Sequence, residues 1–233
     1  YGSAMVFPHV QGGFREFLVV DADRAVPIRR EVSVHEAAFA EPLAVALHAV
    51  ARAGSLLGKR VLVAGAGPIG SLTVAAARHA GAAEIVVTDL HDAALESARK
   101  VGADRAINVG TSPESLAAFE ADKGAFDVMF EAAGSEATLL AGLKVVRARG
   151  TIVQIGQGAQ ASLPMSLIVT KEIDLIGTFR FHAEFALAVE TIAHRRIDVR
   201  PLLTEVVPLS DAVRAFELAA DRTRAMKVQL GFD

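Results

Sequence analysis

Three glycines and one aspartate are the residues of this chain whose types and spacing point most directly to chemistry. Gly65-Ala66-Gly67-Pro68-Ile69-Gly70 follows the apolar run Arg60-Val61-Leu62-Val63-Ala64 and opens an alanine-rich segment. Asp89 closes the next apolar run, Glu84-Ile85-Val86-Val87-Thr88. The parts answer separate needs of one ligand. Gly65 lets the chain turn tightly, Gly67 lets backbone approach a pyrophosphate, and Gly70 lets helix and strand pack closely. Pro68 and Ile69 open a helix whose unpaired N–H groups point at the phosphates. Asp89 can accept hydrogen bonds from the adenosine ribose hydroxyls. G-x-G-x-x-G by itself is also met in ordinary glycine-rich turns. A strand before it, a helix after it and an acid at this distance together point to dinucleotide binding. Asp89 is followed by Leu90-His91-Asp92, with no Arg or Lys to receive a 2′-phosphate. NAD rather than NADP is therefore the expected cofactor.

Alternating elements position these residues. Lys59–Ala64 reads as a buried strand, Pro68–Ala80 as a helix closed by Gly81, Glu84–Thr88 as a second strand, and Asp92–Val101 as a helix closed by Gly102. Arg105–Asn108, Phe126–Glu131, Gly150–Ile155 and Glu172–Gly177 read as further strands. Helices are expected over Pro113–Ala121 and Glu136–Val146. Strands and helices at this spacing predict an α/β fold with a parallel doubly wound sheet. The flanks differ. Residues 11–28 are β-rich without partner helices. Ser33-Val34-His35-Glu36 fits a capping box, and Pro42 is expected to open an apolar helix closed by Gly54. Near the far end, Glu205–Pro208 and Lys227–Leu230 read as strands around a helix beginning at Ser210-Asp211.

Composition narrows the classes. Of 233 residues, 52% are hydrophobic, enough for a large core. A net charge of -3 gives no general attraction to nucleic acid or to an anionic membrane. No apolar stretch approaches the roughly 18 residues of a spanning helix, and no signal-peptide pattern opens the chain, so a cytoplasmic location is expected. The absence of cysteine excludes disulfides, thiolate-ligated zinc and cysteine nucleophiles within this chain. The seven histidines form no HxxxH or HxH pair. His48 lies on an apolar helix and is expected to be a hydrogen-bonded core residue. His9, His35 and His182 have no spacing argument, and Ser3 and Ser33 lack the setting of a hydrolase nucleophile.

Several segments together resemble the zinc-containing medium-chain dehydrogenases, in their sorbitol dehydrogenase-like branch acting on polyols and sugar acids. They are His9-Val10-Gln11-Gly12-Gly13-Phe14-Arg15-Glu16-Phe17, Glu41-Pro42-Leu43-Ala44-Val45-Ala46-Leu47-His48-Ala49-Val50, the Gly65–Gly70 turn, and Gly177-Thr178-Phe179-Arg180-Phe181. The resemblance covers essentially the whole chain. It implies a Rossmann domain over residues 58–181 with a closing helix in 182–200. Residues 1–57 and 201–233 would then be the remainder of a GroES-like β-rich catalytic domain. It also implies NAD-dependent oxidation of a secondary alcohol, zinc-assisted in the intact parent, and a dimer or tetramer of identical subunits.

The same resemblance assigns roles to particular residues. Glu41 would lie beside catalytic zinc, although a carboxylate before a helix-opening proline is also stabilised by the helix dipole by about 0.3–1 kcal/mol. Ala132, Ala133 and Gly134, and Ile155, Gly156 and Gln157, would lie against the nicotinamide half; small residues there also suit ordinary loop starts. Phe179, Arg180 and Phe181 would touch nicotinamide and substrate. Arg180 suits a carboxylated or polyhydroxylated substrate because its fork donates bidentately. Phe181 stands where sorbitol dehydrogenases carry Tyr, which disfavours sorbitol itself and, with Arg180, favours an aldonate such as L-idonate; Ala94 stands where they carry an Arg near the adenine ribose. The family's front zinc ligands, a Cys and a His-Glu pair, are absent, so the chain reads as beginning inside the first domain and as inactive by itself. A cofactor-binding module without catalysis, a zinc-free reductase and an oligomerisation scaffold are the competing expectations.

Overall fold

A computed structural model describes Phe7, residues 12–158 and residues 160–232. Ser3, His9 and the His9-Val10-Gln11 start of the family-like segment lie outside the described residues. Six strands form one sheet: β1 (Arg60–Ala64), β2 (Glu84–Asp89), β3 (Arg105–Asn108), β4 (Phe126–Glu131), β5 (Val146–Gln154) and β6 (Asp174–Gly177). Their order is β3-β2-β1-β4-β5-β6 and every pair is parallel, the doubly wound arrangement expected from the alternation. The chain moves outward from β1 to β3, then returns to lay β4 beside β1. That reversal opens a crevice at the carboxyl ends of the strands, where ligands of such sheets bind.

Among the described residues eight α-helices accompany the strands: α1 (Val34–Ala37), α2 (Ala40–Arg52), α3 (Pro68–His79), α4 (Asp92–Lys100), α5 (Glu136–Val145), α6 (Met165–Lys171), α7 (Glu184–Ala193) and α8 (Ala212–Ala220). Strand side chains alternate between two layers. Val61, Val63, Ile85, Val87 and Phe130 face the core under α2, α3 and α7. Leu62, Val86, Met129 and Ile152 face the one under α5 and α6. No helix among the described residues is long and apolar enough to cross a membrane.

Several expectations are corrected. The β-rich segment near the start forms no strand over residues 12–28. Its apolar side chains face outward, with Phe17 at 87% and Val19 at 92% exposure. No described strand lies beside it to complete its backbone hydrogen bonds, and β-propensity needs such a partner. Phe14 instead meets Phe216 of α8, ring centroids 5.7 Å apart. The helix expected over Pro113–Ala121 is two short 3₁₀ turns, Pro113–Phe119 and Ala121–Lys123. Phe119 is buried against Phe126, and the tighter winding covers more length per residue. Strand β5 starts at Val146 rather than Gly150, with a register irregularity against β4 between Phe126 and Val128.

The capping box forms as expected: Glu36 N–H donates to Ser33 Oγ at 3.2 Å and Ser33 N–H donates to Glu36 Oε2 at 3.0 Å. Helix α2, however, begins at Ala40, so Pro42 sits inside its first turn rather than opening it. A first-turn N–H has no partner within the helix, so proline costs nothing there. β7 (Leu203–Pro208) and β8 (Lys227–Gly231) form a separate parallel pair. Gln229 of β8 joins the start of the described chain, its Nε2 donating to His35 O at 2.9 Å.

Helix α2 is tied to α7 by a polar contact within an apolar interface. His48 Nδ1 lies 3.0 Å from Glu184 Oε1, and His182 N–H donates to Glu184 Oε2 at 2.8 Å. The two side chains are 14% and 18% exposed, so His48 is hydrogen-bonded as expected but lies part-buried at the edge of the core. Burial would raise the Glu184 pKa, but the hydrogen bonds from His48 and from the His182 and Glu184 backbone outweigh it and hold the group at about 2. A depressed carboxylate stabilises the fold fully above its unfolded value near 4.5 and loses that contribution as pH falls towards about 2. Glu184→Gln should therefore lower unfolding free energy by about 1–3 kcal/mol at pH 7. The gap from wild type should narrow between pH 4.5 and pH 2. Urea unfolding of both proteins across that range checks this; a gap that stays constant would exclude the ionised contact.

Candidate functional site

The predicted cofactor residues converge on the carboxyl ends of β1, β2, β4, β5 and β6. Gly65 has φ +97°, and a Cβ built there would lie 2.9 Å from Ala133 N. A Cβ on Gly70 would lie 1.8 Å from Gly65 O, against rigid backbone. Both glycines are thus demanded by the fold. Gly67 is not: it is the N-cap of α3 with φ -61°, and a Cβ there meets nothing within 4 Å. Its missing side chain leaves open space at the helix start. Pro68 occupies the first turn, where its absent N–H is no loss. The N–H groups of Ile69 and Gly70 belong to the helix's unpartnered start. Ser71 N–H donates to Gly67 O at 2.8 Å, and Ser71 Oγ donates to Ala66 O at 2.9 Å, fixing the turn from beneath.

Asp89 stands beside this turn at the end of β2. Its Oδ2 accepts from Ala66 N–H at 2.7 Å, and its Oδ1 accepts from Leu90 N–H at 2.7 Å and His91 N–H at 2.9 Å. His91 Nδ1 is 3.1 Å from the same oxygen. The carboxylate therefore positions the glycine turn itself, and a ribose hydroxyl would share an oxygen already bonded to backbone. Asn108 Nδ2 holds the neighbouring Asp92 at 2.7 Å.

On the other side of the chain reversal, Ala132 N–H donates to Ala64 O at 2.8 Å, joining the ends of β4 and β1. Ile155 and Gly156 N–H donate to Glu131 O at 2.8 and 2.9 Å. A Cβ on Gly156 would lie 2.2 Å from Gly134 N, so the two loops touch through backbone. Thr178 N–H donates to Gln154 O at 3.1 Å and brings in the segment after β6. Around these ends lies a cavity of about 390 Å³, lined by Gly134, Ser135, Gln154, Gly156, Gln157 and Gly177 among others. Two buried oxygens, Gln154 Oε1 and Thr178 Oγ1, have no hydrogen-bond partner among the described residues. Open backbone at Gly67 and orphaned acceptors at the strand ends both fit a polar ligand lying across the crevice.

The expected substrate-facing residues are less concentrated. Arg180 holds a left-handed φ of 54°, uncommon for a residue with a side chain. Its guanidinium carbon lies 5.1 Å from the Phe179 ring centroid. Phe181 is half-buried and stacks on Phe185 at 5.7 Å, against the main core. Glu41 is exposed in the first turn of α2. Among the described residues no cluster of three or more His, Cys, Asp or Glu side chains could hold a metal ion. Glu41 therefore does not fit a metal centre by itself.

Sequence reasoning missed Glu131, Gln154 and Glu184. Glu131 is fully buried, and the one signal for it was an acid ending the apolar run Phe126-Asp127-Val128-Met129-Phe130. Glu184 had no local signal, since its partner His48 is 136 residues away.

The chain is similar to known dehydrogenases in sequence and fold. The family described as zinc-binding dehydrogenase matches residues 68–194. L-idonate 5-dehydrogenase (NAD(P)(+)) of Escherichia coli strain K12 is 45% identical over 233 residues, covering 100% of this chain and 67% of that protein. Its crystal structure superposes with a TM-score of 0.95 over the same shares. Sorbitol dehydrogenase of Ovis aries is 36% identical over 230 residues, 97% of this chain and 65% of that one. A short chain alcohol dehydrogenase from Escherichia coli CFT073, solved with NADH, is 26% identical with a TM-score of 0.88, covering 96% and 67% of the two chains. The chain thus spans about two thirds of the length of the relatives it matches. By the extent and identity of these matches, it belongs to the zinc-binding dehydrogenase family.

Proposed function

We propose that this chain binds NAD(H) across the carboxyl ends of its sheet. Within a longer zinc enzyme it would serve the oxidation of a secondary alcohol on a sugar acid or polyol. The observation that carries this is the open space at Gly67, between two glycines that the fold requires for its own packing. A ligand that needs backbone close at that point gives Gly67 its reason. The adenosine end would lie towards Asp89, the pyrophosphate at the start of α3, and the nicotinamide half towards β4, β5 and β6. Gly67→Val should keep the thermal transition within a few degrees and abolish detectable NADH binding. Gly70→Ala should destabilise the fold itself, because backbone cannot yield to a Cβ. Fluorescence titration with thermal unfolding checks both. NADH binding by Gly67→Val at wild-type affinity would remove the phosphate cradle.

For the cofactor, Asp89 supports NAD(H), although the name of the Escherichia coli relative covers both nicotinamide dinucleotides. The carboxylate is bonded to backbone N–H groups and is followed by Leu90, His91 and Asp92 rather than by Arg or Lys, so a 2′-phosphate meets like charge there. NADH should bind at least about tenfold more tightly than NADPH, equivalent to about 1.4 kcal/mol. Parallel titrations decide it, and equal affinities would defeat the assignment.

For the substrate, we place the zinc-dependent chemistry outside the described residues, with Glu41 contributing at most one carboxylate. The 233-residue chain should then bind cofactor without oxidising L-idonate or sorbitol. In a longer protein carrying this segment and a complete zinc site, Arg180 gives an aldonate a charge-assisted contact about twice as strong as a neutral hydrogen bond. Phe181 lacks the hydroxyl that would serve a neutral polyol. L-idonate should be preferred over sorbitol in kcat/KM, with Arg180→Ala lowering the preference. An unchanged ratio would take substrate selection away from Arg180.

A further inference from the structure

Glu131, at the carboxyl end of β4, is a fully buried acid that the proposed function leaves unused. Its Oε1 accepts from Ala133 N–H at 3.0 Å, Gly134 N–H at 2.9 Å and Thr138 Oγ1 at 2.6 Å. Its Oε2 accepts from Gly134 N–H at 3.0 Å and Gln154 Nε2 at 2.5 Å. The two backbone N–H groups and the Gln154 amide all donate, and the Thr138 hydroxyl shares its one hydrogen between Glu131 and Ser135 O at 2.8 Å, a donor-rich set of the kind an ionised carboxylate takes. None of these partners carries positive charge. The group is therefore a buried anion held by neutral dipoles, and its field is not cancelled by an ion pair.

Two of the residues bonded to this carboxylate also stand in the wall of the cavity, with Gly156 beside them. Gly134, Gln154 and Gly156 all line it. A Cβ built on Gly156 would lie 2.8 Å from Glu131 Oε2, so at that point glycine backbone separates the anion from the cavity. Charges interact strongly across such a thin, low-dielectric wall. The oxidised nicotinamide ring carries a positive charge that the reduced ring has lost.

We propose that Glu131 is a specificity-determining residue that biases the site towards the oxidised cofactor. Its uncompensated negative charge would stabilise a pyridinium ring in the cavity at the ends of β4, β5 and β6. The proposal rests on the nicotinamide half lying there, as in the function proposed above. A purely structural Glu131 would affect both redox forms alike, whereas a charge effect separates them.

The test measures binding of NAD+, NADH and ADP-ribose to the whole chain by calorimetry, in wild type, Glu131→Gln and Glu131→Asp. In Glu131→Gln the ratio of the NAD+ to the NADH dissociation constant should rise about tenfold. ADP-ribose lacks the ring and should bind within about twofold of wild type. Glu131→Asp keeps the charge and should keep the ratio close to wild type even if both affinities fall. Where Glu131→Gln fails to fold, the double variant Glu131→Met with Gln154→Leu removes the charge together with the amide aimed at it, and should show the same rise. An unchanged ratio in a folded charge-removing variant overturns the proposal. Wild type that binds ADP-ribose but neither dinucleotide more tightly overturns it by removing the ring from the cavity. Wild type that binds none of the three removes the nucleotide site itself.

Discussion

The contact between Gly65 and Gly70 is the constraint on which the ligand-facing edge depends. With a Cβ on Gly70 only 1.8 Å from Gly65 O, the start of α3 can rest against the end of β1 solely because no side chain stands there. Gly65 in turn abuts Ala132 and Ala133 at the end of β4. The three segments therefore close on one another through backbone. That closure fixes where the unpartnered N–H groups of α3 point, and so where an anion is best received. It also keeps the crevice between β1 and β4 lined by peptide groups rather than by mobile side chains, a rigid surface that loses little entropy on binding.

Two carboxylates reinforce this edge in the same manner. Asp89 reaches from β2 to the Ala66 N–H after β1. Glu131 reaches from β4 to the Ala133 and Gly134 N–H groups, while its own carbonyl takes the Ile155 and Gly156 N–H groups after β5. Each loop that would face the ligand is thus tied to a strand end by donors that would otherwise be costly to bury. Glu131 has no cationic partner among its hydrogen-bond donors and Asp89 has only the His91 ring, so an acid stands at each end of the crevice. With the cofactor placed as proposed, extra phosphate at the adenosine end would be opposed by the first, and a cationic ring at the other end would be favoured by the second.

Much of the sheet was legible because its signals are local. β3 and β4 have the limits that their apolar runs suggest, and the glycine turn with Asp89 occupies the expected place at the ends of β1 and β2. What was not legible depends on partners far away in sequence or missing beside the segment. Residues 12–28 carry strand-forming side chains, but propensity forms no strand without a neighbouring ladder. Pro113–Phe119 winds as a 3₁₀ turn because Phe119 must reach Phe126 and the core. Glu131 and Gln154 come together only after β4 and β5 are paired. The His48 interaction with Glu184 requires α2 and α7 to pack. An acid at the end of an apolar strand is a weak sequence signal, and only burial turns it into a strong structural one.

The strand-end crevice and the carboxylate expected near zinc are separate parts of this fold, and the separation has a physical basis. The crevice is built from strand ends that bond to each other, so its geometry follows from the packing of one sheet. The carboxylate expected near zinc, Glu41, sits at the start of α2, exposed, and belongs to no metal-binding cluster among the described residues. Helix α2 is nevertheless anchored: His48, seven residues further on, is fastened to Glu184, and Glu184 also takes the His182 N–H just after Arg180 and Phe181. Glu41 and the segment after β6 are therefore referenced to the same polar contact.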